Sequence, residues 1–142
     1  KKIISLSDLV AYVLFQIIGA IFGCLAANII FGLPVVTIST HVRHDLSQFL
    51  SEILATFGLV LVIFLAREVA RQNIPILVGS YIASAYWFSS STSFANPAVT
   101  IARQFSDTFT GISPSGIPSF VLAQIFGAIL GYIVVQWLSR DM

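Results

Sequence analysis

The triplet Asn96-Pro97-Ala98 holds the residues whose types and order are best suited to contact a small solute. Asn is a good helix N-cap and Pro is favoured at the first helical position, so the triplet predicts a helix start. The side chain of Asn96 could cap that helix through its oxygen and donate to a solute oxygen through its NH2 group. The triplet follows the serine-rich stretch 89–93 and lies between two apolar segments.

Other residue types that carry out chemistry give weaker signals. His41 and His44 lie in a polar loop, and two ligands without a third are usually solvated loop residues. The serines of 89–93 have no His or Asp neighbour in sequence, and the lone Cys24 can form no disulfide within the chain. We therefore expect no enzyme activity, no catalytic residue, no metal site and no cofactor.

The composition indicates a membrane protein. Hydrophobic residues make up 57% of the chain and charged residues 9%, and the mean hydropathy is +0.95. The formal net charge of +1 comes without any basic cluster or stripe, so we expect no nucleic-acid partner. The expected surroundings are a lipid bilayer.

The apolar segments that must position the triplet are four predicted spans. Segments 9–33, 46–66 and 117–138 each offer about 20 mostly apolar residues, enough to cross the hydrocarbon core. Segment 74–90 is shorter and more polar, but a crossing there is needed to connect the others. A re-entrant half-helix is expected at about 97–110. Non-helical backbone inside a membrane is tolerated where it is buried in protein or lines a water-filled cavity, so the arrangement suggests a pore.

The basic residues predict the orientation of the spans. With the N-terminus in the cytoplasm, five of the seven Lys and Arg residues lie inside, and Arg43 and Arg103 lie outside. The positive-inside rule favours this arrangement. The C-terminus is then cytoplasmic, and the short loops and minimal tails suggest a prokaryotic inner membrane.

An internal repeat relates the first predicted span to the last. Residues 12–23 align without gaps on residues 120–131, with eight identities in twelve positions and an offset of 108. Each repeat would hold three spans and one half-helix, and an odd number of spans makes successive repeats point oppositely across the membrane. The first two spans and the first re-entrant loop are then expected to be absent. The counterpart of Asn96 should lie about a dozen residues upstream of Lys1.

With these features the chain resembles the aquaporin and aquaglyceroporin family, the major intrinsic proteins. The resemblance extends over essentially all 142 residues, as the third to sixth spans. The residues that carry it are Asn96-Pro97-Ala98, Glu52, Gln16, Gln124 and the pairs Gly19/Gly23 and Gly127/Gly131. It implies an all-α membrane bundle with inverted repeats and a re-entrant half-helix. It also implies a homotetramer with one pore in each subunit.

Polar residues inside the spans are expected to support the half-helix. Glu52 is the only acid within an apolar run, and a charge there needs a partner. In the family, the matching Glu accepts hydrogen bonds from backbone N–H groups of the re-entrant loop; the alternative is that Glu52 snorkels to the surface. Gln16 and Gln124 each need a buried partner, for which backbone groups of the half-helices are the leading candidates. The two glycine pairs permit close helix approach.

The selectivity filter departs from the family pattern. Most members of the family place Arg directly after the second Asn-Pro-Ala, whereas this chain has Val99. Thr100 stands where glycerol facilitators have Asp, which puts glycerol in doubt. We expect a roomy, weakly polar filter that favours solutes larger than water. Ser93 and either Tyr86 or Ser84 are further candidates for its lining.

Arg103 is also a filter candidate, because it lies four residues after Val99 on the same helix face. It could reach towards the mouth of the pore. Two alternatives stay open, namely pairing with Asp107 at i+4 and snorkelling to the outer interface.

The predicted function is a passive channel for water and small uncharged solutes, either polyol-like compounds or a metalloid hydroxide such as arsenous acid. One alternative is half of an inverted-repeat secondary transporter. Such a protein would need an ionisable group near the helix break, and no charged residue lies between Tyr81 and Ala102. The other alternative is a structural fragment that does not conduct.

Overall fold

The computed structural model describes residues 4–140, which form five α-helices joined by loops and short 3₁₀ turns. The helices are α1 (Leu6–Ile30), α2 (Leu46–Val69), α3 (Ile74–Phe88), α4 (Pro97–Ala102) and α5 (Ile117–Leu138). The 3₁₀ turns are Arg71–Asn73, Arg103–Phe105 and Pro114–Gly116. Residues 4–140 contain no β-strand, and the predicted all-α class is confirmed.

Within residues 4–140, three helical segments are long and apolar enough to cross a membrane: Leu6–Ile30, Leu46–Val69 and Pro114–Leu138. The helices α1, α2 and α5 overlap the three long spans that the sequence predicts, with ends that differ by three residues or fewer. α3 has 15 residues, which is shorter than the roughly 20 that a perpendicular crossing needs. The crossing predicted at 74–90 therefore stays a prediction.

Local signals explain both ends of α1. The hydroxyl of Ser5 accepts a hydrogen bond from the backbone N–H of Asp8 at 3.1 Å, which caps the first turn. At the other end, Gly32 has a φ of +69°, a left-handed conformation that glycine adopts without strain. The N–H of Leu33 then turns back to the carbonyl oxygen of Asn28 at 2.8 Å.

The half-helix is shorter than the predicted segment 97–110, which corrects that prediction. α4 ends at Ala102, and one 3₁₀ turn carries the chain to Phe105. In a longer helix the carbonyl oxygen of Phe105 would accept a hydrogen bond from the residue four positions further on. Here it accepts instead from the backbone N–H of Thr37 at 3.2 Å and from the side chain of Asn28 at 2.9 Å. These long-range hydrogen bonds end the helix.

The helices form two compact units, which are described separately. One unit holds residues 4–42 and 98–117, with α1 and most of α4. The other unit holds residues 43–97 and 118–140, with α2, α3 and most of α5.

Two buried glycines bring α5 directly against α2. A Cβ atom at Gly127 would overlap the carbonyl oxygen of Ile53, and one at Gly131 would lie 3.0 Å from the carbonyl oxygen of Phe57. Small residues allow this close approach of two helix backbones in a membrane protein. The absence of a side chain at both positions is therefore needed for the packing of this unit.

The equivalent glycines of α1 have different surroundings. A Cβ atom added at Gly19 or Gly23 would meet nothing within 4 Å. The close helix approach predicted for this pair is therefore not found among residues 4–140. α1 instead contacts the turn Arg103–Phe105, to which the side chain of Asn28 donates a hydrogen bond near the end of the helix.

We expect Gly127→Ala to lower the free energy of unfolding by roughly 1–3 kcal/mol, because the added methyl group must displace the backbone at Ile53. Thermal unfolding of the purified protein in detergent measures the effect. Gly79→Ala on α3 is the matched control, since a Cβ atom there meets nothing within 4 Å and Ala favours a helix over Gly. Equal effects of the two substitutions would contradict the packing described here.

Candidate functional site

Most of the chain that leads into α4 is buried although it is not helical. Residues 89–96, which we call the re-entrant loop, include three non-glycine residues with positive φ: Thr92 at 61°, Ser93 at 48° and Ala95 at 47°. All three are buried. Residues other than glycine rarely adopt this left-handed conformation, so the surrounding structure must hold them in it.

The carboxylate of Glu52 on α2 holds the re-entrant loop. Glu52 is 0% exposed and does not snorkel to the surface. Its Oε1 accepts hydrogen bonds from the hydroxyl of Ser91 at 2.7 Å and from the backbone N–H of Phe94 at 2.8 Å. Its Oε2 accepts from the backbone N–H of Ala95 at 3.0 Å and from the side-chain amide of Gln124 at 2.8 Å.

These four donors satisfy a charge that would be very costly if it were buried alone. Hydrogen bonds to a charged group contribute roughly 1.5–3 kcal/mol each, about twice the contribution of neutral ones. Two of the donors are backbone N–H groups of a segment that has no helix to pair them. The carboxylate and the re-entrant loop therefore satisfy each other, and neither would be stable in an apolar interior without the other.

The two glutamines of the repeat differ in what they contact. Gln124 is buried, and its amide group donates to the carboxylate of Glu52 at 2.8 Å. Gln16 is exposed on the face of α1. Gln124 thus belongs to the network that fixes the re-entrant loop.

The half-helix begins directly after the re-entrant loop. α4 starts at Pro97, next to Asn96, and the fixed φ of Pro suits that position. Asn96 is half-buried, Pro97 is exposed and Ala98 is buried. The sequence and the geometry agree on where this short helix starts, and Glu52 anchors the residues just before it.

The filter candidates are divided between the two units. Ser93 is buried, Tyr86 is half-buried and Ser84 is exposed, all in the unit that contains α2, α3 and α5. Val99 and Arg103 are half-buried in the unit that contains α1. In the first of these units, Ser93 lies in the re-entrant loop that Glu52 anchors. In the second, Val99 and Arg103 lie close to each other.

Val99 and Arg103 line one cavity of about 650 Å³. α1 contributes Cys24 and Asn28 to its wall. The segment after the half-helix contributes Thr110. Most of the wall is apolar, and Arg103 is the one charged side chain among the lining residues. The guanidinium of Arg103 donates to the carbonyl oxygen of Thr110 at 3.3 Å, which ties it to the segment after the half-helix.

Asp107 joins the half-helix segment to the loop before α2. Its carboxylate accepts hydrogen bonds from the backbone N–H of Thr40 at 2.8 Å and from the Thr40 hydroxyl at 3.1 Å. The imidazole Nε2 of His41 lies 3.8 Å from the same carboxylate. The hydrogen bond from the Thr40 backbone lowers the pKa of Asp107 below its usual range, and the nearby His41 contributes in the same direction.

Arg43 is a site residue that its position in the sequence predicts only to lie in an outer loop. It is 6% exposed, and its Nη1 donates to the carbonyl oxygen of Ser91 at 3.1 Å. Its guanidinium carbon lies 5.4 Å from the centre of the Phe94 ring. The sequence offers one weak signal, the position of Arg43 shortly before the span that carries Glu52.

We expect Glu52→Gln to destabilise the protein by roughly 3–5 kcal/mol, because it removes one partner of a buried charged network. Gln keeps one acceptor oxygen and turns an NH2 group towards donors. Folded yield and thermal unfolding in detergent measure the loss. Glu68→Gln, at an exposed position on the same helix, should change neither. A Glu52→Gln variant as stable as wild type would contradict the assigned role.

The contact between Asp107 and Thr40 should weaken in acid. The pKa of Asp107 is lowered in the folded state, so the contact contributes fully above the unfolded pKa of about 4 and is lost as pH falls through the folded value. Hydrogen exchange at the Thr40 amide, corrected for intrinsic rates, should lose protection below about pH 4. Asp107→Asn should remove this pH dependence. If protection of the Thr40 amide in the wild-type protein did not change with pH, the prediction would be contradicted.

The comparisons with known proteins give one relative. Aquaglyceroporin AqpS from Rhizobium meliloti (strain 1021) is 47% identical to the chain over 133 residues. The match covers 94% of this chain and 57% of the relative, so the chain spans little more than half the length of that protein. No family model and no solved structure matches the chain.

The match extends over nearly the whole chain. It agrees with the three helices that are long and apolar enough to cross a bilayer. On these grounds the chain is an integral, multi-pass membrane protein that belongs to the aquaporin family, the major intrinsic proteins.

Proposed function

We propose that the protein is a passive channel for water and small uncharged solutes. The observation that carries the proposal is the hydrogen bonding of Glu52 to Phe94 and Ala95, which fixes non-helical backbone ahead of a half-helix. Such backbone is tolerated in a membrane protein where it is buried or lines a water-filled path. The printed name of the relative, an aquaglyceroporin, supports the same function.

The triplet Asn96-Pro97-Ala98 is the pore motif in this proposal. The NH2 group of Asn96 donates to the oxygen of a passing solute, which replaces a hydrogen bond to water. The N-terminal end of a helix carries partial positive charge, so the start of α4 disfavours cations and protons at this point of the path. Neutral solutes that accept hydrogen bonds pass.

The conducting protein requires a second copy of the repeat, with two further spans and another half-helix before α1. Gly19 and Gly23 repeat two glycines that are packed in α5, yet a Cβ at either meets nothing among residues 4–140. Gln16 likewise repeats Gln124, which donates to Glu52. We infer that α1 packs on a span that carries an equivalent of Glu52.

The residue after the triplet determines which solutes the filter admits. Val99 is small and uncharged, which favours polyol-like solutes or a metalloid hydroxide such as arsenous acid over a strict water channel. The filter roles of Ser93, Tyr86 and Ser84 stay predictions. For Arg103 the hydrogen bond to Thr110 supports a fixed position near the end of the half-helix.

Half of a secondary transporter is the alternative from another functional class. It would use an ionisable group at the helix break to couple ions to substrate. Glu52 is the acid that contacts the break, but four donors occupy its two oxygens, which suits a structural role. Flux through the protein should accordingly be independent of ion gradients and should not saturate.

The setting of the channel is proposed from the family and the charges. We infer a homotetramer with a pore in each subunit, in a prokaryotic inner membrane. The distribution of Lys and Arg supports a cytoplasmic C-terminus.

We expect Val99→Arg to narrow the filter and to reduce glycerol flux roughly tenfold while water flux falls less than about threefold. Stopped-flow light scattering on proteoliposomes of the complete protein measures both. Val99→Ile is the control, because it adds one methylene without charge. Equal loss of both solutes in Val99→Arg would point to misfolding, and ion current without neutral-solute flux in wild type would refute the proposed function.

A further inference from the structure

The C-terminal end of α5 carries a groove of about 430 Å³, away from the Glu52 network and from the cavity that holds Val99. Its lining comes from the last two turns of the helix and the turn that follows: Tyr132, Ile133, Val134, Gln136, Trp137 and Arg140. Residues three or four apart lie on one face of a helix. The groove therefore runs along α5 towards the carboxyl end of the helix.

The lining of the groove changes from apolar to charged along its length. Ile133 and Val134 line the part nearest the middle of α5, and Arg140 lies at the other end. Trp137 stands between them and is 67% exposed. Trp and Tyr rings are favoured at the level of lipid headgroups, because one end of each ring system is apolar and the other is polar. The groove thus offers an apolar wall, an amphipathic ring and a charge in that order.

Arg140 is placed by the turn that follows α5. Its backbone N–H donates to the carbonyl oxygen of Trp137 at 3.4 Å, which keeps Arg140 next to the last turn of the helix. The carboxyl end of a helix carries partial negative charge and repels anions. Arg140 is the charged group among the groove residues within 4–140, and no carboxylate in that range lies within ion-pair distance of it. Attraction of an anion to this end of the groove therefore depends on Arg140.

Tyr132 connects the groove to a second guanidinium, on α2. Its ring packs edge to face against the ring of Phe64, with 6.1 Å between the two centres. The guanidinium carbon of Arg67 lies 5.7 Å from the centre of the same Phe64 ring. Arg67 is exposed, and it also has no carboxylate partner among the described residues. Two positive charges thus lie near one groove.

We propose that this groove binds an anionic phospholipid, with the lipid phosphate at Arg140 and an acyl chain along Ile133 and Val134. The order of apolar and charged groups in the groove matches that of a lipid, in which a phosphate adjoins an apolar chain. Basic pockets beside membrane-spanning helices bind anionic headgroups in this way. Lipid binding at α5 is independent of the proposed channel function.

Selectivity for an anionic lipid follows from the two arginines. Phosphatidylglycerol and phosphatidylcholine share the phosphate and the chains, but choline adds a positive charge that Arg140 and Arg67 repel. The guanidinium of an arginine also donates hydrogen bonds to phosphate oxygens in a bidentate geometry. One basic residue at a membrane surface strengthens the binding of an anionic lipid roughly fivefold. We therefore expect a preference for phosphatidylglycerol of about fivefold to tenfold.

The test measures how strongly brominated lipids quench the fluorescence of Trp137 in vesicles that contain the complete protein. Bromine atoms quench the Trp rings that they approach closely, so quenching reports which lipid occupies the groove. The part of the emission that Trp137→Phe removes is assigned to Trp137. In vesicles of phosphatidylcholine, brominated phosphatidylglycerol should quench this part with an association constant about fivefold to tenfold above that of brominated phosphatidylcholine.

Arg140→Gln should reduce the preference for phosphatidylglycerol to less than about twofold, because it removes the charge and keeps a polar side chain. Arg71→Gln is the matched control. Arg71 is exposed in the turn Arg71–Asn73 and does not line the groove, so its substitution should leave the preference unchanged. Thermal unfolding in detergent checks that both variants fold. Equal reductions in the two variants would indicate general attraction to the surface and would overturn the proposal.

Two results with the wild-type protein would also overturn the proposal. Equal association constants for the two lipids would mean that the groove does not select charge. Quenching of Trp137 by neither lipid would mean that another subunit or a further span of the protein covers the groove. Water and glycerol flux through the same vesicles tests the channel function separately, since neither result depends on it.

Discussion

The site depends on one buried carboxylate that must be fully hydrogen-bonded. Glu52 lies among apolar helices, and a segment of backbone without secondary structure supplies two of its four donors. Each group would be destabilising if it were buried alone, and together they fix three left-handed residues immediately before the half-helix. The position of Asn96 follows from this pairing, because Asn96 directly follows Ala95, the last residue whose backbone N–H is anchored to Glu52.

Close packing of α5 on α2 supports the same network. Gly127 permits the two helices to approach, and Gln124, one turn earlier on α5, reaches Glu52 from that position. Arg43, which lies three residues before α2 begins, completes the network by donating to the carbonyl oxygen of Ser91. Helix packing, loop conformation and charge balance are thus parts of a single arrangement in this unit.

Hydropathy predicts the long helices well, because the spans of a membrane protein are set by local composition. α5 begins and ends at the predicted residues, and the burial of Glu52 follows from the high cost of a charge in an apolar run. Features that depend on distant residues could not be predicted in this way. The end of the half-helix is set by Thr37, and the burial of Arg43 by Ser91, which is 48 residues further along the chain. No local pattern marks either contact.

The order of synthesis gives the Glu52 network a consequence for membrane insertion. The serine hydroxyl that bonds Glu52 is made 39 residues after it, and the glutamine amide 72 residues after it. α2 must therefore enter the bilayer with an unsatisfied acid, at a cost of up to about 3 kcal/mol for a charge at the centre of an inserting helix. The long apolar remainder of α2 offsets that cost until α5 is in place. The Glu52 network is thus complete only when α5 delivers the amide of Gln124.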